Sequence, residues 1–332
     1  METRTLGPTD LELTPVILGT WALGGWMWGG TARNKPDEAV STALDAGINC
    51  IDTAPVYGFG LSEELVGQAV RGRRDRVLLA TKCGLVWNGE GGSPFETTDL
   101  DGRPRTVLRC LRKDSILREC DESLRRLGTD VIDLYQCHWP DPDTPLAETM
   151  EALLTLRERG KIRWFGVSNF SVSQMEECLR AAEIGSNQVK YSLLSRGIEE
   201  DVLPFCREHG VGVLAYSPME MGLLTGKIGM DHEFPESDVR RSGPWFQPER
   251  RKQVLDAVGE MSKIADKYDA SPAEISVAWI AAQPGVTAAI AGARNGGQAA
   301  SAAAAARISL EPEDTAEIRR LFAPLKLDES GA

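Results

Sequence analysis

Histidine is scarce, with three in 332 residues, and the seven cysteines are scattered without a CxxC pair. The common zinc spacings are therefore excluded, and the cysteines read as reduced thiols rather than a disulfide framework. Lysine and arginine number 37 against 49 aspartates and glutamates, a formal net charge of -12. A chain so short of positive charge is not built around nucleic acid or an anionic membrane, although a local basic site for a small anion is compatible with it. No apolar run approaches the ~20 residues of a membrane-spanning helix. The opening METRTLGPTD has neither signal-peptide nor transit-peptide character, so a soluble, cytoplasmic protein is expected. Also missing is a GxGxxG turn after the first strand, the fingerprint of an open, doubly wound sheet. Gly58-Phe59-Gly60 is too short a match.

What the chain has is a regular alternation of apolar runs and amphipathic segments. Core strands are expected at 16–19, 48–51, 76–81, 131–136, 162–166, 186–189, 211–215 and 286–290. Helices are expected between them. Pro36 begins one that Gly47 ends, Asp114 begins another that stops at Gly128, and Ser171 and Ser271 each open a capping box. Residues 3–6 and 10–13 read as a hairpin around Gly7-Pro8-Thr9-Asp10. Two stretches read as long loops, 86–106 and 217–247. Alternation of this kind with no linker predicts a single α/β domain, 1–332, folded as a (β/α)8 TIM barrel with an N-terminal β-hairpin. A doubly wound open sheet is the alternative.

In a barrel, the carboxyl ends of all strands share one face. Asp52, Lys82 and His138 end strands, and Tyr57 lies in a glycine-flanked loop just beyond one. This set suits proton donation to a carbonyl oxygen. A phenol has a reference pKa of about 10, a neighbouring Lys82 ammonium would lower it, and Asp52 would hold the lysine charged. His138 would hydrogen-bond the substrate oxygen or relay a proton. The plainer readings are a buried Asp52–Lys82 ion pair and a satisfied core histidine.

The sequence resembles the aldo-keto reductase family over essentially its whole length. The resemblance rests on Asp-Thr-Ala-x-x-Tyr-Gly at 52–58, Thr-Lys at 81–82, Asp-Leu-Tyr-x-x-His-Trp-Pro-Asp at 133–141 and Gly-Val-Ser-Asn-Phe at 166–170. It is most similar to the monomeric, NADPH-dependent bacterial branch of general-stress and inositol-cluster reductases. The resemblance implies a catalytic tetrad of Asp52, Tyr57, Lys82 and His138, with Tyr57 the general acid in carbonyl reduction and the base in alcohol oxidation. It implies NADP(H) as cofactor, with its nicotinamide amide at Ser168, Asn169 and Gln188 and its ring on Tyr216. Ser217, Leu223, Gly226 and Lys227 would grip the pyrophosphate, and Arg294 the 2′-phosphate. Thr20, Trp21, Asp52, Pro218, Gly292 and Gln298 complete the implied cofactor set. The chain departs from the family where Glu and Asn commonly bind adenine and ribose; Ser301 and Ala302 stand there, leaving more of the adenine contact to Gln298.

The run GTWALGGWMWGG puts Trp21, Trp26 and Trp28 among glycines, which suits a pocket-lining loop better than sheet or helix. Trp21, Trp87 and Trp139, with Tyr57 and His138, form the expected substrate set, an aromatic wall for apolar or flat carbonyl compounds. Trp245 and Phe246 are expected to close over the cofactor or substrate. Two other functions share these residues. One is an NADPH-binding sensor subunit resembling potassium-channel β subunits, and the other makes Lys82 a Schiff-base nucleophile.

Overall fold

In the computed structural model, which describes residues 1–32 and 34–327, eight parallel strands close into a barrel in chain order. They are Val16–Gly19, Cys50–Asp52, Leu78–Cys83, Ile132–Cys137, Ile162–Ser168, Ser186–Lys190, Gly212–Tyr216 and Ala288–Gly292. The last pairs with the first, Ile290 opposite Ile17, which closes the ring and leaves no sheet edge. A helix follows each strand. Most end where the sequence demands: Lys113–Leu127 stops at Gly128, whose φ of 64° is the left-handed geometry of a helix C-terminus. Ser171 and Ser271 form complete capping boxes on Val172–Ala181 and Pro272–Ala281.

Alternation along the strands sorts side chains into two layers. Val16, Leu18, Ile51, Leu79, Tyr135 and Val213 point outward against the helices. Burial of this kind is worth roughly 1.5–3 kcal/mol per large side chain. Ile17, Cys50, Ala80, Leu134 and Leu214 point inward and meet Leu6, Leu11 and Leu13 from the N-terminal hairpin, Arg4–Thr5 paired with Glu12–Leu13. That hairpin plugs the amino end of the barrel. Gly7 makes the plug possible: its φ is 52°, and a Cβ there would sit 2.6 Å from the Gly185 carbonyl oxygen.

The same alternation carries the function. Asp52 lies two residues beyond inward Cys50, and Lys82 two beyond inward Ala80, so both project into the barrel at its carboxyl end. A one-residue slip in either strand would send them into the helical layer.

Three features differ from the sequence reading. The stretch 86–106, expected as a loop, contributes to an antiparallel sheet of Leu85–Val86, Pro104–Arg109 and Ser93–Thr98. Its glycines and prolines mark the turns, and Pro94 sits on an outer strand where its missing N–H is harmless. The helix Pro312–Phe322 was not expected, and Val202–Glu208, which fills the expected place between the sixth and seventh strands, had no bounds in the sequence reading. Pro204 obscures the bounds of Val202–Glu208 in sequence, yet it falls in the opening turn, where no N–H is needed. The stretch 217–247 is irregular as expected, punctuated by short 3-10 turns.

Candidate active site

A cavity of about 820 Å³ opens at the carboxyl end of the barrel. Beneath it lies a buried polar chain. Lys82, fully buried, donates to Asp52 Oδ1 at 2.7 Å, to the Thr53 carbonyl at 2.9 Å and to Tyr57 Oη at 3.4 Å. All three ammonium protons are thereby used. Asp52 Oδ2 accepts from Gln188 Nε2 at 2.8 Å, so both carboxylate oxygens are satisfied without water. Burial lowers the Lys82 pKa, and the adjoining Asp52 charge opposes that shift. Lys82 does not line the cavity, which removes the geometry a Schiff-base nucleophile needs.

Tyr57 is fixed by the loop that carries it. Gly24 lies against it so closely that a Cβ there would be 2.3 Å from the Tyr57 carbonyl oxygen. Trp21 stacks on the phenol ring at 6.1 Å, and His138 meets its edge at 5.7 Å. Burial, and secondarily the Asp52 charge, push the phenol pKa well above its usual 10. This corrects the expectation that Lys82 lowers it, because desolvation of a phenolate and a nearby carboxylate outweigh an ammonium already committed to Asp52. Tyr57 is thus a neutral phenol holding its proton. His138 is driven well below 6.5, mainly by burial and then by the Lys82 charge. It is a neutral imidazole, able to donate one hydrogen bond into the cavity rather than to act as a cation.

Along one wall, Ser168 Oγ donates to the Gln188 carbonyl at 2.8 Å, and Tyr216 Oη donates to Asn169 Oδ1 at 2.9 Å. Asn169, at φ 63°, also donates to the His138 carbonyl at 3.1 Å. This amide therefore ties the fourth, fifth and seventh strands together. Ser217, Pro218 and Lys227 line the next part of the cavity. Gly292, Arg294, Gln298, Ser301 and Ala302 line its far end. Gln298 Oε1 accepts from the Arg294 backbone N–H at 2.8 Å, while Asn295 caps the helix Gly296–Ala305. At the opposite wall stand Thr20, Trp21, Trp28 and Trp139. The indole N–H groups of Trp21 and Trp28 are buried without a protein partner.

A model of the aldo/keto reductase family matches residues 15–323. The chain belongs to the aldo/keto reductase family. It is 41% identical to aldo-keto reductase YhdN of Bacillus subtilis, over 97% of this chain and 94% of that protein. The NADH-specific methylglyoxal reductase of Escherichia coli is 37% identical over 98% of this chain and all of its own length, 100%. Among solved structures, glycerol dehydrogenase AKR11B4 of Gluconobacter oxydans superposes with a TM-score of 0.86 at 40% identity, covering 97% and 95% of the two chains.

Most residues singled out in this aldo-keto reductase from sequence converge on the cavity, but besides Lys82 beneath it, Trp87, Leu223, Gly226, Trp245 and Phe246 do not line it. Leu223 is buried behind the loop, and a Cβ on Gly226 would face Pro272. Trp87 packs edge-on against Phe59 at 5.3 Å. Trp245 and Phe246 are buried in the helical layer rather than closing over the cavity. Residues without a sequence signal complete the mouth. Trp28 bridges to Asp238, and the Val239 N–H donates to the Met27 carbonyl, so a strap from the long loop crosses to the tryptophan loop. Arg240 rivets the crossing: it pairs with Asp238 at 2.6 Å and lies 4.6 Å from the ring centroids of both Trp28 and Phe234. Arg109 also lines the cavity, brought there by the inserted sheet.

Proposed function

We propose that this aldo-keto reductase interconverts aldehydes or ketones with alcohols, Tyr57 giving its proton to the carbonyl oxygen and taking one back in reverse. The chain Asp52–Lys82–Tyr57, roofed by a neutral His138, is the observation that carries this reading. Membership of the family makes the protein an NADP(H)-dependent oxidoreductase.

The residues present fit that cofactor. A long cavity runs from the polar chain to Arg294, and Trp21 and Trp28, whose buried indole N–H groups have no protein partner, line it. Ser168, Asn169, Gln188 and Tyr216 would hold the nicotinamide end, Ser217, Pro218 and Lys227 the diphosphate, and Arg294 and Gln298 the adenosine end. When bound, the cofactor supplies or accepts the hydride. The protein does the rest. His138 donates a hydrogen bond to the substrate oxygen and polarises the carbonyl. Tyr57 delivers the proton, and Lys82 stabilises the phenolate that forms, its own charge held by Asp52. Gln188 keeps Asp52 oriented, and the apolar walls keep competing water out. Ser301 and Ala302 face the cavity at its adenosine end, which weakens the hold on the cofactor and narrows the preference for NADPH over NADH.

The same reading makes the protein a cytoplasmic monomer acting on a small carbonyl or alcohol. Its seven cysteines are all buried and free, and among the described residues no helix is long and apolar enough to cross a membrane.

Oxidation of NADPH and of NADH by wild type and by Tyr57→Phe, on a panel of aldehydes, tests the proposal. Turnover in wild type, lost by a factor of about 10²–10⁴ in the variant with cofactor binding retained, is expected. Tight cofactor binding with no turnover on any aldehyde would instead favour a sensor subunit.

A further inference from the structure

Arg109 is the last residue of Pro104–Arg109, and its backbone is pinned on both sides, opposite Leu85 and opposite Ser93. The inserted sheet thereby holds it at the cavity wall beside Trp139, the residue after His138. Its guanidinium carbon lies 5.6 Å from the Trp139 ring centroid and 6.0 Å from that of Phe95. Its Nε is buried without a hydrogen-bond partner. No ion pair or side-chain hydrogen bond to Arg109 is made by any described residue. The contrast with Arg240 in the same cavity is direct, because Arg240 is neutralised by a bidentate pair with Asp238. Of the other acids lining the cavity, Asp52 is consumed by Lys82 and Gln188, and Glu233 is exposed and does not pair with Arg109.

We infer that Arg109 is the seat for an anionic group on the substrate, so that the preferred carbonyl compounds carry a carboxylate or a phosphate ester. This rests on the reductase reading above. An arginine gripped by aromatic rings keeps its planar fork oriented, and the donors on its edge match two oxygens of either anion. Aromatic and apolar walls lower the local dielectric, which strengthens that pairing and makes an unanswered buried donor unfavourable. A neutral aliphatic aldehyde leaves the fork unanswered. An acid of suitable length places its carbonyl under Tyr57 and His138 and its charge on Arg109. In a chain of net charge -12, an unpaired cation inside the substrate cavity also draws anions past an acidic surface.

The test compares matched substrates that differ in charge: succinic semialdehyde with butanal, 4-carboxybenzaldehyde with 4-methylbenzaldehyde, glyceraldehyde 3-phosphate with glyceraldehyde. Wild type should have the higher kcat/KM on the charged member of at least one pair. In Arg109→Gln the charged-to-neutral ratio should fall roughly tenfold to hundredfold, carried by KM, with Arg109→Lys between the two. The pair giving the larger ratio tells carboxylate from phosphate. As a readout independent of the variant, succinate but not succinamide should inhibit wild-type reduction of a neutral aldehyde competitively. A ratio unchanged by Arg109→Gln, or a wild type that favours the neutral member of every pair, overturns the anion seat and leaves the reductase standing. No turnover of either member overturns both.

Discussion

Replacing Lys82 with methionine removes the centre of the polar chain while nearly preserving its shape. Asp52 would keep its hydrogen bond from Gln188 but lose the ammonium 2.7 Å away, in a place from which water is excluded. A buried charge stripped of its partner costs about 3–5 kcal/mol, and Asp52→Asn alone should cost a similar amount by orphaning Lys82. Combined, the two substitutions leave no charge behind. The double variant should then lie within about 1–2 kcal/mol of wild type, a coupling well above the ~0.5 kcal/mol scatter of independent sites. Turnover should follow the opposite pattern. Both single variants and the double variant lack the intact support of the Tyr57 proton, so each should lose about 10²–10⁴ in kcat. Urea unfolding, read alongside aldehyde reduction for all four proteins, measures both quantities. Strictly additive stability losses would refute the claim that these two residues answer one another. Wild-type turnover in the double variant would refute the claim that the pair serves the chemistry.

Two further outcomes depend on protonation. Because His138 is held well below 6.5 and Tyr57 well above 10, the reduction rate should be flat from about pH 6 to pH 9, and an inflection near 6.5 in the pH profile would show a histidine titrating in the site. Glu119, buried at the foot of the inserted sheet, is pushed up to about 8 by desolvation, although it accepts from the Gly84 N–H at 2.8 Å and Ser115 Oγ at 3.0 Å. A carboxyl raised in the folded state contributes stability that is full below its unfolded pKa of about 4.3 and is lost as pH rises toward the folded value. The unfolding free energy from urea titrations should therefore fall between about pH 5 and pH 8, by on the order of a few kcal/mol, and Glu119→Gln should flatten that slope. A slope unchanged in the variant would refute it.

The barrel was legible because its strands are short apolar runs at regular spacing. Several end one or two residues later than those runs suggest: Cys50–Asp52 and Leu78–Cys83 were expected at 48–51 and 76–81. The ladder continues because the polar side chains at its end satisfy one another inside, and hydrophobicity alone stops short of them. Asp52, Tyr57, Lys82 and His138 stood out as polar groups at strand ends, and the structure brings Tyr57 to both Lys82 and His138. The direction of the Tyr57 shift did not stand out, since sequence reveals neighbouring charges but not the depth at which they are buried. Arg109 and Arg240 left no trace at all. Each reaches the cavity through an insertion, one a small sheet and the other an irregular loop, whose path depends on partners far along the chain, Trp139 for one and Trp28 for the other.

The hairpin at the amino end bears on how the molecule comes to exist. Arg4 donates to the carbonyl of Ala281 at 2.7 Å across 277 residues, and Val16 lies opposite Ala289 in the closing pair. This segment leaves the ribosome some 277 residues ahead of its final partners. Until the strand Ala288–Gly292 has emerged, the first barrel strand has an open flank and Leu6, Leu11 and Leu13 have no barrel to fill. Such distant contacts come late, after the entropy of closing a very long loop has been lost, so the chain must carry an unfinished sheet through most of its synthesis. The net negative charge of the chain would then hold incomplete barrels apart by mutual repulsion.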